Sequence, residues 1–380
     1  MVTKDIFKLT TYYSETNKYY YFFDGMFKIR NLSKLETLDG LNIPSSTYRI
    51  NRKNSLLKND NHKAILNFFN VNENLKDMIK CEKTLSELFS CLYFKQSEGK
   101  ILEYKKQIDI YILDDNYLKP IFMLFRILIK IIMTKDIVNV LDNIKLDVDY
   151  ISKFPGEYYE NDFKVLFNII MYFAHKSDDY LKDYEIDVKY PYLTWLYYHL
   201  RGSFNYYNHN YSEAIIYYKN AIKCYLNDLN VSRILECQIN IAAMYNRING
   251  YRETINTLVP LIEYALYETD NHALKCYSIM HYFIALMMVN DYEKIISTLN
   301  KLGSIEIVND VSAMVGIVAS KILKIKALNK ILADKIKNNS DVMAIYLRVY
   351  FNKVLPKEFI ENNKMYYYID LIKEKIETSL

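Results

Sequence analysis

The chain has 380 residues, of which 51% are hydrophobic and 25% charged, and it carries a formal net charge of +4. That is enough apolar content for one large core or two unequal domains. Eight glycines and six prolines are too few for a sheet protein rich in tight turns, so the composition points to an all-α chain. Lys, Asn, Ile, Tyr and Phe are used heavily. These residues have AT-rich codons, so the 38 tyrosines carry little functional weight as a class.

The start, Met1 to Tyr13, is charged and lacks a continuous apolar stretch, so no signal peptide is expected. Residues 18–70 read as four or five short helices. Ser33-Lys34-Leu35-Glu36 is a capping box that predicts a helix start. Leu35, Leu38 and Leu41 lie on its one face, and Gly40 and Asn42 favour a turn. Ile43 plugs the core of that turn, and Pro44 suits the first position of a second helix. That helix, Ser45 to Lys53, is rich in hydrogen-bonding and cationic side chains. From Lys28 to Lys63 there are eight Lys or Arg and three acids, an excess of +5 in a chain of +4. A basic module on a near-neutral body points to a local polyanion contact.

The stretch Asn42-Ile43-Pro44-Ser45-Ser46-Thr47-Tyr48-Arg49-Ile50 resembles the turn and recognition helix of phage-repressor-type helix-turn-helix domains. Asn42 and Leu38 stand where those domains usually have glycine and alanine. The resemblance implies a helix-turn-helix DNA-binding domain over residues 1–72. Its candidate contacts with double-stranded DNA are Ser45, Ser46, Thr47, Arg49, Asn51, Arg52 and Lys53. Hydroxyls at a helix start can meet phosphates or base edges, and Arg can pair bidentately with guanine.

Further along, Ile121 to Met133 is the most apolar run. It is too short to span a bilayer and holds Arg126 and Lys130 on one edge, so it reads as a buried helix and no membrane partner is expected. Tyr211, Tyr251 and Tyr292 then recur at intervals of 40 and 41 residues. Each comes after a polar turn and opens a helix. Ala214, Thr254 and Ile295 lie three residues on; Tyr218, Leu258 and Leu299 lie seven on; Ala221, Leu261 and Leu302 lie ten on. Gly202, Ala242 and Phe283 lie nine before. This pattern resembles the tetratricopeptide (TPR) repeat, with longer helices. It is firm for about residues 190–302, and repeat units need flanking units to bury their faces. The reading is an all-α chain: an N-terminal helix-turn-helix module, then a TPR-like right-handed α-solenoid over 73–380. The final helix, with Met365 to Ile369, Leu371, Ile372 and Ile376, is apolar enough to cap the solenoid or to make a homodimer.

A repressor-like module joined to a TPR solenoid resembles the peptide-pheromone receptors of Gram-positive bacteria and their phages, among them quorum-sensing regulators and arbitrium receptors. The resemblance implies a cytoplasmic transcriptional regulator in which a short signalling peptide enters the concave face and alters DNA binding or dimer geometry. The TPR register places His199, Ser203 and Tyr207 on that face in the first firm repeat. Arg233, Glu236, Asn240 and Arg247 come next, at spacings of three, four and seven, as one polar stripe of the next helix. Asn can bond a peptide amide, and Arg can take its carboxylate. The alternative is a TPR adaptor that binds a protein partner, with the N-terminal module as a cap.

An enzyme is not expected. There is no G-x-G-x-x-G or phosphate loop, and the six histidines show no metal spacing, so no catalytic residue, metal or cofactor is assigned. The five cysteines form no Cys-x-x-Cys pair and read as free thiols of a reducing cytoplasm.

Overall fold

The computed structural model describes residues 7–54, 60–73, 78–95, 97–113, 116–133, 137–181, 191–267, 272–302 and 308–337. The chain is all-helical: among the described residues the sole extended pairing is a lone bridge between Asn72 and Asn116. The helices are α1 (Thr10–Ser14), α2 (Thr16–Ile29), α3 (Lys34–Gly40), α4 (Ser45–Lys53), α5 (Asp60–Phe69), α6 (Met78–Tyr93), α7 (Glu98–Leu113), α8 (Lys119–Met133), α9 (Ile137–Ile151) and α10 (Asn161–His175). Next come α11 (Pro191–Tyr207), α12 (Tyr211–Asn227), α13 (Val231–Arg247), α14 (Tyr251–Tyr267), α15 (His272–Met288), α16 (Tyr292–Lys301), α17 (Asp310–Ile322) and α18 (Lys326–Lys337). The segment expected to cap or dimerise, Met365 to Ile376, lies outside the described residues. No described helix is long and apolar enough to cross a membrane.

The helix ends explain how so few glycines suffice. Among the described residues no glycine has a positive φ, but Asn31, Asn42, Asn70, Asn249 and Asn290 do, at 51 to 66°. Asn tolerates the left-handed region better than other non-glycine residues. Each of these asparagines succeeds a helix, and the next amide reaches back five residues. Leu32 bonds to Phe27 O, Ile43 to Leu38 O, Val71 to Leu66 O, Gly250 to Tyr245 O and Asp291 to Leu286 O, at 2.7 to 3.0 Å. This satisfies carbonyls that a helix C-terminus leaves orphaned. Asn thus does the work that Gly usually does.

The chain divides into two compact units. The first comprises residues 1–207 and 224–233, the second 208–223 and 234–380. The division does not fall at residue 72, because α1 and α2 share one aromatic core with residues between 89 and 163 of the same unit. Phe7 packs edge-on against Phe89 and Phe125, Tyr12 against Tyr158, and Tyr19 stacks on Tyr117 at 4.3 Å. Gly25 of α2 lies so close to Phe154 that a Cβ there would overlap the ring. Lys18 is 2% exposed and donates to the Glu157 carbonyl at 2.7 Å while pairing with Glu160. The apolar run 121–133 is indeed a buried helix, α8. Its edge cations Arg126 and Lys130 share Asp147, at 2.6 and 2.9 Å.

In the second unit Tyr251 and Tyr292 open α14 and α16 as the spacing predicts, and Tyr211 opens α12. Ala214, Thr254 and Ile295, three residues on, are each fully buried. The core of this unit runs from Leu235 on α13 through Leu258, Phe283 and Ile295 to Val315 and Leu332. The preceding turns share one device: His209, Asn249 and Asn290 all have φ near +60°.

Candidate nucleic-acid interface

Two helices and a turn build the candidate face. Ser33 caps α3, its Oγ accepting the Glu36 amide at 3.4 Å. The turn closes through the left-handed Asn42, so the departure from glycine is absorbed by a residue able to adopt that conformation. Leu38 and Ile43 are buried beneath it. α4 runs from Ser45 to Lys53 as expected, with Pro44 as its N-cap rather than its first helical residue; the fixed φ of Pro orients the chain without needing an amide.

Among the described residues, α4 is anchored on one side. Tyr48 is buried and its hydroxyl donates toward the Tyr20 carbonyl at 3.0 Å and Asp24 Oδ1 at 3.1 Å, both on α2. Burial first, and then Asp24, push the Tyr48 phenol well above its ordinary range, so it stays a donor. The Tyr48 ring meets Tyr20 edge-on at 4.8 Å. Asn51 is 9% exposed and donates from Nδ2 to the Tyr20 hydroxyl at 2.9 Å. Asn51 therefore belongs to the anchor and is corrected from a DNA contact to a core contact: a helix step of 100° places it next to Tyr48, not beside Arg49. On the opposite arc Ser45, Ser46, Arg49, Ile50 and Lys53 are exposed, and Thr47 is half-buried at its edge.

Arg52 occupies the border. Its Nε pairs with Asp24 Oδ2 at 2.9 Å, and its guanidinium lies 5.3 Å from the Tyr21 ring centroid. Lys34 of α3 donates to Asp24 Oδ1 at 2.6 Å and sits 4.1 Å over the Tyr48 ring. Asp24 thus gathers a residue from α3 and two from α4. Neither Asp24 nor Lys34 stands out in the sequence: nothing in the spacing of α2 marks a lone acid among aromatics as the hub of the next two helices.

The expected peptide stripe is distributed differently. Arg233, in the first unit, is 3% exposed. Its guanidinium bonds the Leu92 carbonyl, and its Nε the Tyr93 carbonyl at 3.3 Å; Asn230 Nδ2 joins at 2.7 Å. These are the orphaned last carbonyls of α6. Arg233 is therefore a remote C-cap whose charge also suits that helix end, and its expected place in the peptide stripe is corrected. His199 accepts or donates through Nδ1 to the Tyr225 hydroxyl at 3.3 Å, and Ser203 bonds back to the His199 carbonyl of its own helix at 3.1 Å. Tyr207, at the end of α11, is 38% exposed.

Glu236, Asn240 and Arg247 are half-buried members of the second unit. Arg247 lies near enough to His281 of α15 to disfavour its protonation. Burial, with Arg247 as the smaller cause, pushes His281 down to about 3, so its ring is neutral at neutral pH. Beside it Asn246 Nδ2 bonds the His281 carbonyl at 3.0 Å, and Thr254 Oγ1 bonds Asn246 Oδ1 at 2.9 Å and the Ala242 carbonyl at 3.1 Å. This buried network joins α13, α14 and α15. Its one trace in the sequence is Thr254, a polar residue at the offset where Ala214 and Ile295 stand in the other repeats. The chain matches no protein-family model, no curated protein and no solved structure.

Proposed function

We propose that the protein is a cytoplasmic DNA-binding regulator that acts as a homodimer. In this reading α3 and α4 form its helix-turn-helix, and the later hairpins form a right-handed TPR-like solenoid that receives a short peptide. The observation that carries the reading is the division of α4. Tyr48 and Asn51 anchor one side, while Ser45, Ser46, Arg49 and Lys53 occupy the free side. A helix that buries an aromatic anchor and exposes hydroxyls and cations suits phosphate and base-edge contacts.

The test is electrophoretic or fluorescence titration of duplexes recovered from a random pool, at several salt concentrations. The native protein should lose affinity steeply with salt, since each phosphate neutralised contributes about 0.9 to the slope of log K against log salt. The double change Arg49→Ala with Lys53→Ala should weaken binding by roughly 30-fold or more while leaving helicity intact, because each base-edge or phosphate contact is worth about 1–3 kcal/mol. Salt-independent binding, or no binding, overturns the reading.

The peptide part of the proposal rests on Glu236, Asn240 and Arg247 of α13, with His281 of α15 near Arg247; Arg233 is left out because its donors are committed to α6. Loss of Arg247 should weaken a carboxylate-bearing peptide by roughly 10- to 150-fold, since a charged hydrogen bond is worth about 1.5–3 kcal/mol. Calorimetry of Arg247→Ala with peptides encoded beside the gene tests it; undiminished binding overturns the site. The adaptor alternative is favoured by one observation. α2 is packed against Phe154 and Tyr158 through Gly25 and Phe22, as a cap would be. Capture of a protein partner together with absent salt-dependent DNA binding would select it.

A further inference from the structure

Between α3 and α4 lies an open cleft of about 480 Å³, lined by Ser33, Lys34, Leu35, Ser45, Arg49 and Arg52 among others. Three of these are cations, drawn from both helices of the turn. Like charges this close repel one another, and the fold answers with one carboxylate: Asp24, its side chain 12% exposed, holds Lys34 at 2.6 Å and Arg52 at 2.9 Å. Asp24 pairs with Arg52 at its Nε, and a guanidinium carries five N–H donors, more than one shared carboxylate can take. The Lys34 ammonium has three protons and gives Asp24 one of them. Arg49 is exposed. One acid against three cations leaves the cleft with an excess of positive charge and several donors unspent toward Asp24.

We propose that this cleft seats one phosphodiester of the DNA backbone, with Lys34, Arg49 and Arg52 as its donors and Asp24 as the positioning residue that aims two of them. The inference rests on the DNA-binding reading and deepens it. Arg52 becomes a phosphate contact held in one orientation, and Lys34, outside the expected recognition helix, joins the interface. The cleft lies on the same side of α4 as Arg49 and borders Ser45, so a phosphate there would fix the register in which the exposed Ser46 and Lys53 meet the bases. Phosphate contacts position a protein on the duplex and base contacts specify. The hydroxyls of Ser33 and Ser45 line the same space, in keeping with an oxyanion more than with an apolar ligand.

The experiment uses the full chain and a duplex that it retains from a random pool. Single phosphates of that duplex are replaced in turn by neutral methylphosphonate. Native protein should lose about tenfold in affinity at one phosphate near each recognition site. In Lys34→Ala the same replacement should cost less, about threefold, because one of the three donors is already gone. Asp24→Asn should also flatten that penalty, while the overall salt dependence is kept or steepened as the two cations are released. A flat methylphosphonate scan with salt-dependent binding intact overturns the seat alone. A native-sized penalty in Lys34→Ala does the same, and one in Asp24→Asn overturns the positioning role. Inorganic phosphate is the control for the other source of the same chemistry. If calorimetry shows it binding native protein but not Lys34→Ala, and the duplex scan is flat, the cleft belongs to a free anion and the proposal fails. Failure to retain any duplex removes the DNA reading itself.

Discussion

On α4, Ser45, Arg49 and Lys53 stand four residues apart and all three are exposed. On α13, Arg233, Asn240 and Arg247 stand seven apart, an equally regular stripe, and none is exposed. The spacing reports an angle around a helix axis; what lies at that angle is decided by neighbours. Among the described residues α4 has partners on one side, α2 and α3, and its other side is exposed. α13 has partners in its first turn and again in its last two. Its first turn holds the end of α6 through Arg233, within the first unit, and its later turns bond α14 and α15 within the second. A polar stripe on a helix with neighbours on several sides is made of caps and network members, whereas on a one-sided helix it faces solvent and is open to a partner.

The largest expected effect comes from that contrast. Arg233→Ala removes a buried charged donor from two carbonyls of α6 and should lower the unfolding free energy by about 3 kcal/mol. Urea denaturation measures it. The comparison breaks if the variant keeps native stability and instead loses peptide affinity, since Arg233 would then be acting as a groove residue.

A smaller effect, tunable by pH, concerns His281. Its folded value is about 3, against about 6.5 in an unfolded chain. Between those values the unfolded state binds the proton and the native state does not, so stability is full above about pH 6.5 and falls as pH falls. The loss attributable to this ring should be about 2 kcal/mol at pH 5 and should stop growing near pH 3. Urea midpoints across pH 4–8 for the native chain and His281→Gln read the difference, and parallel curves would show that the ring is hydrated and the network looser than its hydrogen bonds indicate. Peptide binding that raises the midpoint most at low pH would further sharpen the contrast, by placing a carboxylate beside Arg247 and His281.

Much of this architecture is legible in the sequence because the signals are local. The tyrosines at 211, 251 and 292 start helices since each comes just after a residue able to turn left-handed, and Ser33 and the Asn42–Pro44 turn set α3 and α4 by backbone chemistry alone. What the sequence hides is long-range. Asp24 reaches residues 10 and 28 positions away, and Arg233 reaches a helix end 141 positions back. Asn51 reads as a DNA contact in the chain because it sits between cations, although its angle puts it with Tyr48. The fusion of α1 and α2 with the aromatic core beyond residue 72 is equally invisible: Phe7, Tyr12 and Phe22 look like any apolar residues of a short helix until Tyr117, Phe154 and Tyr158 are placed around them.

The smallest effect separates the two sides of α4 itself. Asn51 donates one neutral hydrogen bond to the Tyr20 hydroxyl, and such a bond is worth about 1 kcal/mol net. Asn51→Ala should therefore cost about that much stability and leave the salt dependence of DNA binding unchanged, since no phosphate partner is lost. Arg49→Ala should do the reverse. An exposed side chain without a packing role changes stability by no more than about 0.5 kcal/mol, while one lost phosphate contact lowers the salt slope by about 0.9. Measuring both quantities on both variants gives a crossed result if the anchor and the reading face are distinct. Should Asn51→Ala keep its full stability and shed affinity for the retained duplex, the Tyr20 bond is dispensable and Asn51 turns outward on binding. The one-sided anchoring of α4 would then be wrong in the bound state, and the contrast with α13 would rest on Tyr48 alone.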